Sequence, residues 1–207
     1  MRDERKNHWE QVYRDKSPLE VSWYQVAPTL SRELIRASGV DRRAPLIDVG
    51  GGASTLVDHL LDDGYDAVSV LDISAQALAH ARRRLGARAD AVTWIEADIT
   101  RFEPPGEYRL WHDRAVFHFL ADAEDRARYR AALARGLAAG GQLIIGTFAP
   151  GGPERCSGLP IVQYDAARIQ AELGSGFELL ETRGETHRTP AGKDQLFNFF
   201  RFVKRGE

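Results

Sequence analysis

The stretch Leu46-Ile47-Asp48-Val49-Gly50-Gly51-Gly52-Ala53-Ser54 reads as a short buried strand that runs into a glycine turn and then opens a helix. Apolar residues on both sides of Asp48 suit a strand covered on two faces, as in a parallel sheet. Three consecutive glycines cost chain entropy, and what they offer in return is positive φ and room for a ligand to approach the backbone. A turn serving only chain reversal is the plainer alternative at this point.

Outward from that turn, short apolar runs alternate with Ala/Leu-rich amphipathic ones, which is the pattern of a parallel α/β sheet. Strands are expected near 45–49, 67–71, 91–95, 109–112 and 142–148. The helix starting near Ser54 places Leu56, Val57, Leu60 and Leu61 on one face, with Gly64 suited to its C′ position. Ser74 is a good N-cap for a helix over 75–85, where Ala77, Leu78, Ala81 and Leu85 form the buried stripe and Gly86 ends it. A further helix is expected over 123–137, broken by Gly140-Gly141. Beyond Pro150 come a Gly/Pro-rich loop at 150–160, a short helix at 166–173 and two strand-like runs, 177–183 and 196–204. These two can pair as an antiparallel hairpin across a loop containing Gly184, Pro190 and Gly192. The expected organisation is one domain, 1–207, with a charged, aromatic-dotted cap at 1–28 and a core at 29–207.

Composition bounds the function. Lys and Arg number 28 against 30 Asp and Glu, a formal charge of −2, so no footprint for nucleic acid or an anionic membrane appears. Arg82-Arg83-Arg84 falls in the last turn of an expected helix, where positive charge complements the macrodipole. The single cysteine, Cys156, excludes an intramolecular disulfide framework and, lacking a second soft ligand, gives no metal site. The N-terminal residues lack an apolar signal core, and no run approaches the roughly 18 apolar residues of a membrane span. A cytoplasmic protein is expected.

The acids around the glycine turn decide which ligand it suits. Asp72 ends the next strand, 24 residues beyond Asp48, where a carboxylate can accept both hydroxyls of a ribose lying over the turn. Nicotinamide-binding folds share that acid, but their pyrophosphate disfavours a second carboxylate just before the turn. S-adenosylmethionine brings an ammonium and a sulfonium there instead, which Asp48 favours. The third glycine of G-x-G-x-x-G is also missing, since position 55 is Thr. A third acid, Asp98, follows the third expected strand in Glu96-Ala97-Asp98-Ile99, where it can accept from an adenine amino group while Ile73 and Ile99 cover the ring faces.

Together these residues resemble the class I methyltransferases, the seven-stranded family that uses S-adenosylmethionine. The resemblance spans roughly residues 40–205 and rests on Asp48-Val49-Gly50-Gly51-Gly52, Asp72 and Glu96-Ala97-Asp98-Ile99. It implies a Rossmann-like, doubly wound, mostly parallel α/β sheet of order 3-2-1-4-5-7-6 with strand 7 antiparallel. It further implies that Gly50, Gly51 and Gly52 cradle the methionine part, Asp72 the ribose and Asp98 the adenine. Ser54 stands where many relatives carry another glycine. His112-Asp113-Arg114-Ala115 replaces the Asn/Asp-Pro-Pro-Tyr often found in enzymes that methylate nucleobase or glutamine amino groups, which argues against those substrates. The start, Asn7-His8-Trp9-Glu10-Gln11-Val12-Tyr13 with Val21-Ser22-Trp23-Tyr24-Gln25, resembles N-terminal caps of small bacterial methyltransferases and of a protein-lysine methyltransferase subgroup.

On the substrate side, Trp9 and Tyr13 share a helical face, and with Trp23 they can close a lid over the cofactor or simply dock the cap. Asp113 and Arg114, at the carboxyl end of the fourth strand, are candidates to orient cofactor or substrate, with a structural hydrogen bond as the alternative for Asp113. His118 is a candidate general base, against the plainer reading of a core histidine among Phe117, Phe119 and Leu120. The function expected is in-line methyl transfer from S-adenosylmethionine to N, O or S of a small molecule. Methylation of a protein lysine is the alternative; a nicotinamide-dependent reductase and a non-catalytic cofactor-binding module stand behind both.

Overall fold

The computed structural model describes residues 2–206; Met1 and Glu207, the ends of the expected domain, lie outside the described residues. Strand β1 (Leu46–Val49) is buried along its whole length because it lies mid-sheet, parallel to both β2 (Val68–Asp72) and β4 (Tyr108–Arg114). Outside β2 lies β3 (Val92–Glu96), and outside β4 lies β5 (Leu137–Phe148), both parallel to their neighbours. The hairpin of β8 (Phe177–Arg188) and β9 (Asp194–Lys204) completes the sheet, with β9 antiparallel to β5. The order β3-β2-β1-β4-β5-β9-β8 is the expected 3-2-1-4-5-7-6 once the strands of this sheet alone are counted. The remaining two strands, β6 (Arg155–Cys156) and β7 (Leu159–Pro160), form a small separate hairpin inside the segment expected to be loop.

Alternation of side chains along each strand builds two cores. Leu46, Leu110 and Ile144 face one side, where α2 (Thr29–Ala37), α3 (Leu56–Asp62) and α4 (Ala75–Leu85) pack. Ile47, Trp111 and Ile145 face the other, covered by α5 (Ala123–Gly136) and α6 (Ala166–Leu173). The sheet is thus doubly wound. In α4 the expected stripe Ala77, Leu78, Ala81 and Leu85 is buried, and Ser74 caps the helix by accepting from the Ala77 N–H at 3.1 Å. Helix α1 (Arg2–Asp15) lies apart from these layers, over the carboxyl ends of β2 and β3.

Three boundaries differ from expectation. Helix α5 ends at Gly136, where a Cβ would collide with Pro104 and Trp111, so the side chain of any other residue would press into the core. Gly140-Gly141 sit inside β5 rather than ending a helix: the pairing jumps from Tyr108↔Leu137 to Leu110↔Gln142, and Gly140 at φ +70° absorbs the excess residues. Gly184 lies within β8 opposite Asn198, which leaves only 189–193 to turn the hairpin. Among the described residues no helix is long and apolar enough to cross a membrane.

Candidate active site

The carboxyl ends of β1, β2 and β4 carry Asp48, Asp72 and Asp113, and the turn after β1 brings the glycines beside the first two. Gly50 (φ +70°) leaves no room for a Cβ against Val116, which is itself pressed inward by the turn at Ala115, a non-glycine residue at φ +70°. A Cβ at Gly51 would strike the Asp48 carboxylate. One at Gly52 would strike that of Asp72 and come within 2.9 Å of Ala77 Cβ. The turn therefore exists to let two carboxylates lie against bare backbone.

Asp48 is almost fully buried, and β1–β4 pairing sets it directly opposite His112. Nδ1 of His112 lies 2.7 Å from Asp48 Oδ1 and donates to it, while Nε2 is 2.9 Å from Ser31 Oγ on α2. Asp48 Oδ2 is buried without a hydrogen-bond partner among the described residues. A fixed carboxylate with one free acceptor oxygen beside a glycine turn fits an ammonium group. Asp72 accepts from the Ser74 N–H at 2.8 Å. Burial pushes its carboxyl up to about 7, the charges of Asp48 and Glu10 adding to the rise and the Ser74 N–H opposing it. Asp98 is held by the Thr100 N–H and hydroxyl at 2.9 and 2.8 Å and by Arg5 of α1 at 3.3 Å.

These groups border two adjoining cavities. The larger, with about 820 Å³ of space partly open to solvent, is lined at one end by Asp72, Ile73, Asp98 and Ile99 and at the other by His118, Phe148, Gln195 and Phe197. The smaller, about 520 Å³, is lined by Asp48, Gly51, Ser31 and His112. Tyr13, Trp23, Gly50 and Arg114 line both and so mark the junction, while Trp9 lines the larger one. Trp9 packs edge-on against Trp23 and Phe119 with centroids 5.6 and 5.0 Å away, and the indole N–H of Trp23 donates to Tyr13 Oη at 3.3 Å. The aromatic residues of the cap therefore form the roof of the cavity, and docking the cap and closing the site are one act.

Gly52 and Asp113 line neither cavity. Gly52 serves by making room for Asp72. Asp113, expected as a cofactor-binding or catalytic acid, is consumed internally: Oδ1 accepts from the N–H groups of Val116 and Phe117 at 3.0 and 3.4 Å, and Oδ2 from Tyr129 Oη at 2.7 Å. Burial pushes its carboxyl up to about 6, against the pull of Tyr129 and the two N–H groups. Its part is to hold the turn that presents Val116 to Gly50. His118, expected as a general base, has other chemistry. Its Nδ1 accepts from the Phe148 N–H at 3.3 Å, so the proton of the neutral ring sits on Nε2. Burial, with Arg114 adding to it, depresses its pKa to about 3, and Nε2 has no partner among the described residues.

Four residues that sequence reasoning passed over shape the site. Arg5 bridges Asp98 and Asp125. Glu10 accepts from the Ala75 and Gln76 N–H groups at 2.7 and 3.4 Å, which binds α1 to the first turn of α4. Ser31 and His112 fix Asp48. Arg84 is exposed in the last turn of α4 as expected, and it also donates to Asp58 and to the Ala53 and Ser54 carbonyls at 3.0 and 2.6 Å, bracing the segment after the glycines. Arg114 donates to the Trp23 carbonyl at 2.9 Å and faces Glu185 of β8 at 3.7 Å, tying the cap to both β4 and the hairpin.

A family model described as "Methyltransferase domain" matches residues 46–141, the segment that carries the glycine turn and all three acids, Asp48, Asp72 and Asp98. Over that segment the chain is similar to the methyltransferase family, and its sheet has the strand order of a Rossmann-like methyltransferase fold. Over 148 residues it is 28% identical to the eEF1A lysine and N-terminal methyltransferase of Danio rerio, a match covering 69% of this chain and 21% of that protein. The chain thus spans about a fifth of the length of that curated relative. Among solved structures, that reported for conversion of a disulfide bond into a thioacetal group during echinomycin biosynthesis aligns with TM-score 0.79 at 20% identity, covering 97% of this chain and 93% of that one. The N-methyltransferase NodS of Bradyrhizobium japonicum WM9, in complex with S-adenosyl-L-homocysteine, aligns with TM-score 0.67 at 17% identity, covering 86% and 87%.

Proposed function

We propose that the chain transfers the methyl group of S-adenosylmethionine to a nitrogen, oxygen or sulfur atom of a small molecule. The observation that carries this reading is the pair of buried carboxylates laid against glycine backbone, one of them, Asp48, with an acceptor oxygen unclaimed among the described residues. Asp48, with Gly50 and Gly51, would hold the ammonium end of the cofactor, Arg114 its carboxylate and Asp72 the ribose hydroxyls. Ile73 and Ile99 would cover the adenine, whose amino group falls to Asp98. Trp9, Tyr13 and Trp23 would exclude water from above. When bound, the cofactor supplies an electrophilic methyl group on a sulfonium whose leaving group is a neutral thioether. The protein's own contribution is alignment of an acceptor behind that methyl and desolvation of the charges around it. A second reading, methylation of a protein lysine, is favoured by the name of the Danio rerio relative.

Incubating a size-fractionated lysate with methyl-labelled cofactor separates the two: label is expected in the small-molecule fraction, and label confined to a protein band would favour the second reading. Asp72→Ala should weaken cofactor binding by about 1–3 kcal/mol. Unchanged affinity in calorimetry would remove Asp72 from the ribose site.

A further inference from the structure

The end of the larger cavity away from the adenosine acids is lined by His118, Phe119, Phe148, Cys156, Gln195 and Phe197. None of these carries a carboxylate. The His118 ring stacks on Phe148, with centroids 4.7 Å apart and planes 6° from parallel, and its Nδ1 is occupied by the Phe148 N–H. The ring is fully buried, and Nε2–H is the one polar atom it has left to give. Burial also pushes the Cys156 thiol up, so it stays protonated. Near His118 stands Arg114, partly buried, its guanidinium over Phe197 with 4.9 Å to the centroid. Its Nε and Nη2 are beyond hydrogen-bond distance of any partner among the described residues, with Nη2 in an ion pair to Glu185 at 3.7 Å. The His118 N–H donor, the Gln195 amide and flat aromatic walls meet in one place, with no carboxylate and no basic imidazole among these lining residues to take a proton from an incoming acceptor.

We infer that this end of the cavity takes a small aromatic acceptor that enters already as an anion, its nucleophilic oxygen or sulfur held by the Nε2–H of His118. This rests on the methyl-transfer reading above and narrows its substrate class. An arenethiolate or acidic phenolate needs no base: its lone pair forms the new bond to the methyl carbon as the carbon–sulfonium bond breaks. The two charges cancel, and no proton moves. His118 then positions the acceptor and stabilises its charge. A lysine ammonium meets no carboxylate among these lining residues to receive it and no base to neutralise it.

The full chain, loaded with S-adenosylhomocysteine, is titrated with 4-nitrothiophenolate and with benzylamine, and turnover of both probes is measured with S-adenosylmethionine. We expect the thiolate to bind and be methylated at least about ten-fold better than the amine. His118→Phe should lose about ten-fold in thiolate affinity while keeping that for S-adenosylhomocysteine, and His118→Gln, which retains an N–H donor, should recover part of the loss. Long-range nitrogen–proton NMR of the wild-type imidazole should find the proton on Nε2 at neutral pH. A proton on Nδ1, equal or better use of benzylamine, or Gln and Phe variants equally impaired would overturn the inference. Failure of S-adenosylhomocysteine itself to bind would instead strike the methyl-transfer reading.

Discussion

Under the proposed reading, Asp72 is the residue at which electrostatics and ligand binding are most directly coupled. Its carboxyl titrates near 7 in the fold against an ordinary value of 3.8, because burial penalises the charge. The folded state therefore holds this proton more tightly than the unfolded chain, and between those two values the group's contribution to stability falls as pH rises. Ribose hydroxyls donate to a carboxylate, so cofactor binding must draw the group into its charged form. Affinity for S-adenosylhomocysteine should consequently rise with pH up to neutrality, by at most about ten-fold per unit. Calorimetry at intervals from pH 5.5 to 8 measures this directly, and a flat profile over that range would exclude Asp72 from the ribose contact. Asp48 and Asp72 were legible from sequence because the glycine turn and the strand period fix where each acid falls. The part played by Asp113 was not, because the tyrosine that consumes its second oxygen lies 16 residues on, in α5. His112 illustrates the same limit. Its meeting with Asp48 is a matter of strand register, which exists only once β1 and β4 are paired.

At the scale of elements, the cap is the part that roofs the cavity. Helix α1 shows little amphipathic character, since Arg5 and Glu10 spend themselves on partners 65 to 120 positions away, and no spacing rule along the chain could reveal those. By contrast α4 was readable down to its cap and its glycine stop, because Ser74, the apolar stripe and Gly86 are all local signals. Helix α2 went unread: it is only nine residues long, and beside the apolar Leu30, Leu34 and Ile35 its buried face carries the polar Ser31. If α1 is the lid, the carboxylate of Glu10 at the N-terminus of α4 is its latch. Glu10→Gln should speed release of S-adenosylhomocysteine about three- to ten-fold, the kinetic equivalent of about 1 kcal/mol at a helix terminus. Stopped-flow tryptophan fluorescence, with Trp9 and Trp23 as the reporting rings, reads the rate; an unchanged rate would mean that α1 is not what the ligand waits for.

For the whole molecule, cofactor site and cap together join the two cores to the β8–β9 hairpin. Gln25 of the cap donates to Glu185 at 3.2 Å, His187 meets the Ser22 carbonyl at 2.7 Å, and Thr55 at the start of α3 donates to the Gln25 carbonyl at 2.9 Å. A ligand that bridges these parts stabilises the fold as a unit. S-adenosylhomocysteine at about 100 times its dissociation constant should add about 2.7 kcal/mol and raise Tm by roughly 5–10 °C in a domain of this size. A calorimetric scan in which only a minor early transition moved would show that the cap melts apart from the core.

The lone cysteine acquires a use from this arrangement. Cys156, in the small β6–β7 hairpin, lies 8% exposed with its sulfur 4.0 Å from the Ser22 hydroxyl of the cap. As a thiolate it can attack a disulfide reagent, releasing the reagent's own thiolate, and the cap over it limits how often that reagent arrives. The rate of chemical labelling therefore counts openings of the molecule in solution, and each molar increment of cofactor analogue should slow that clock in proportion to occupancy. The wild-type sequence carries its own probe of gating, with no engineered label needed.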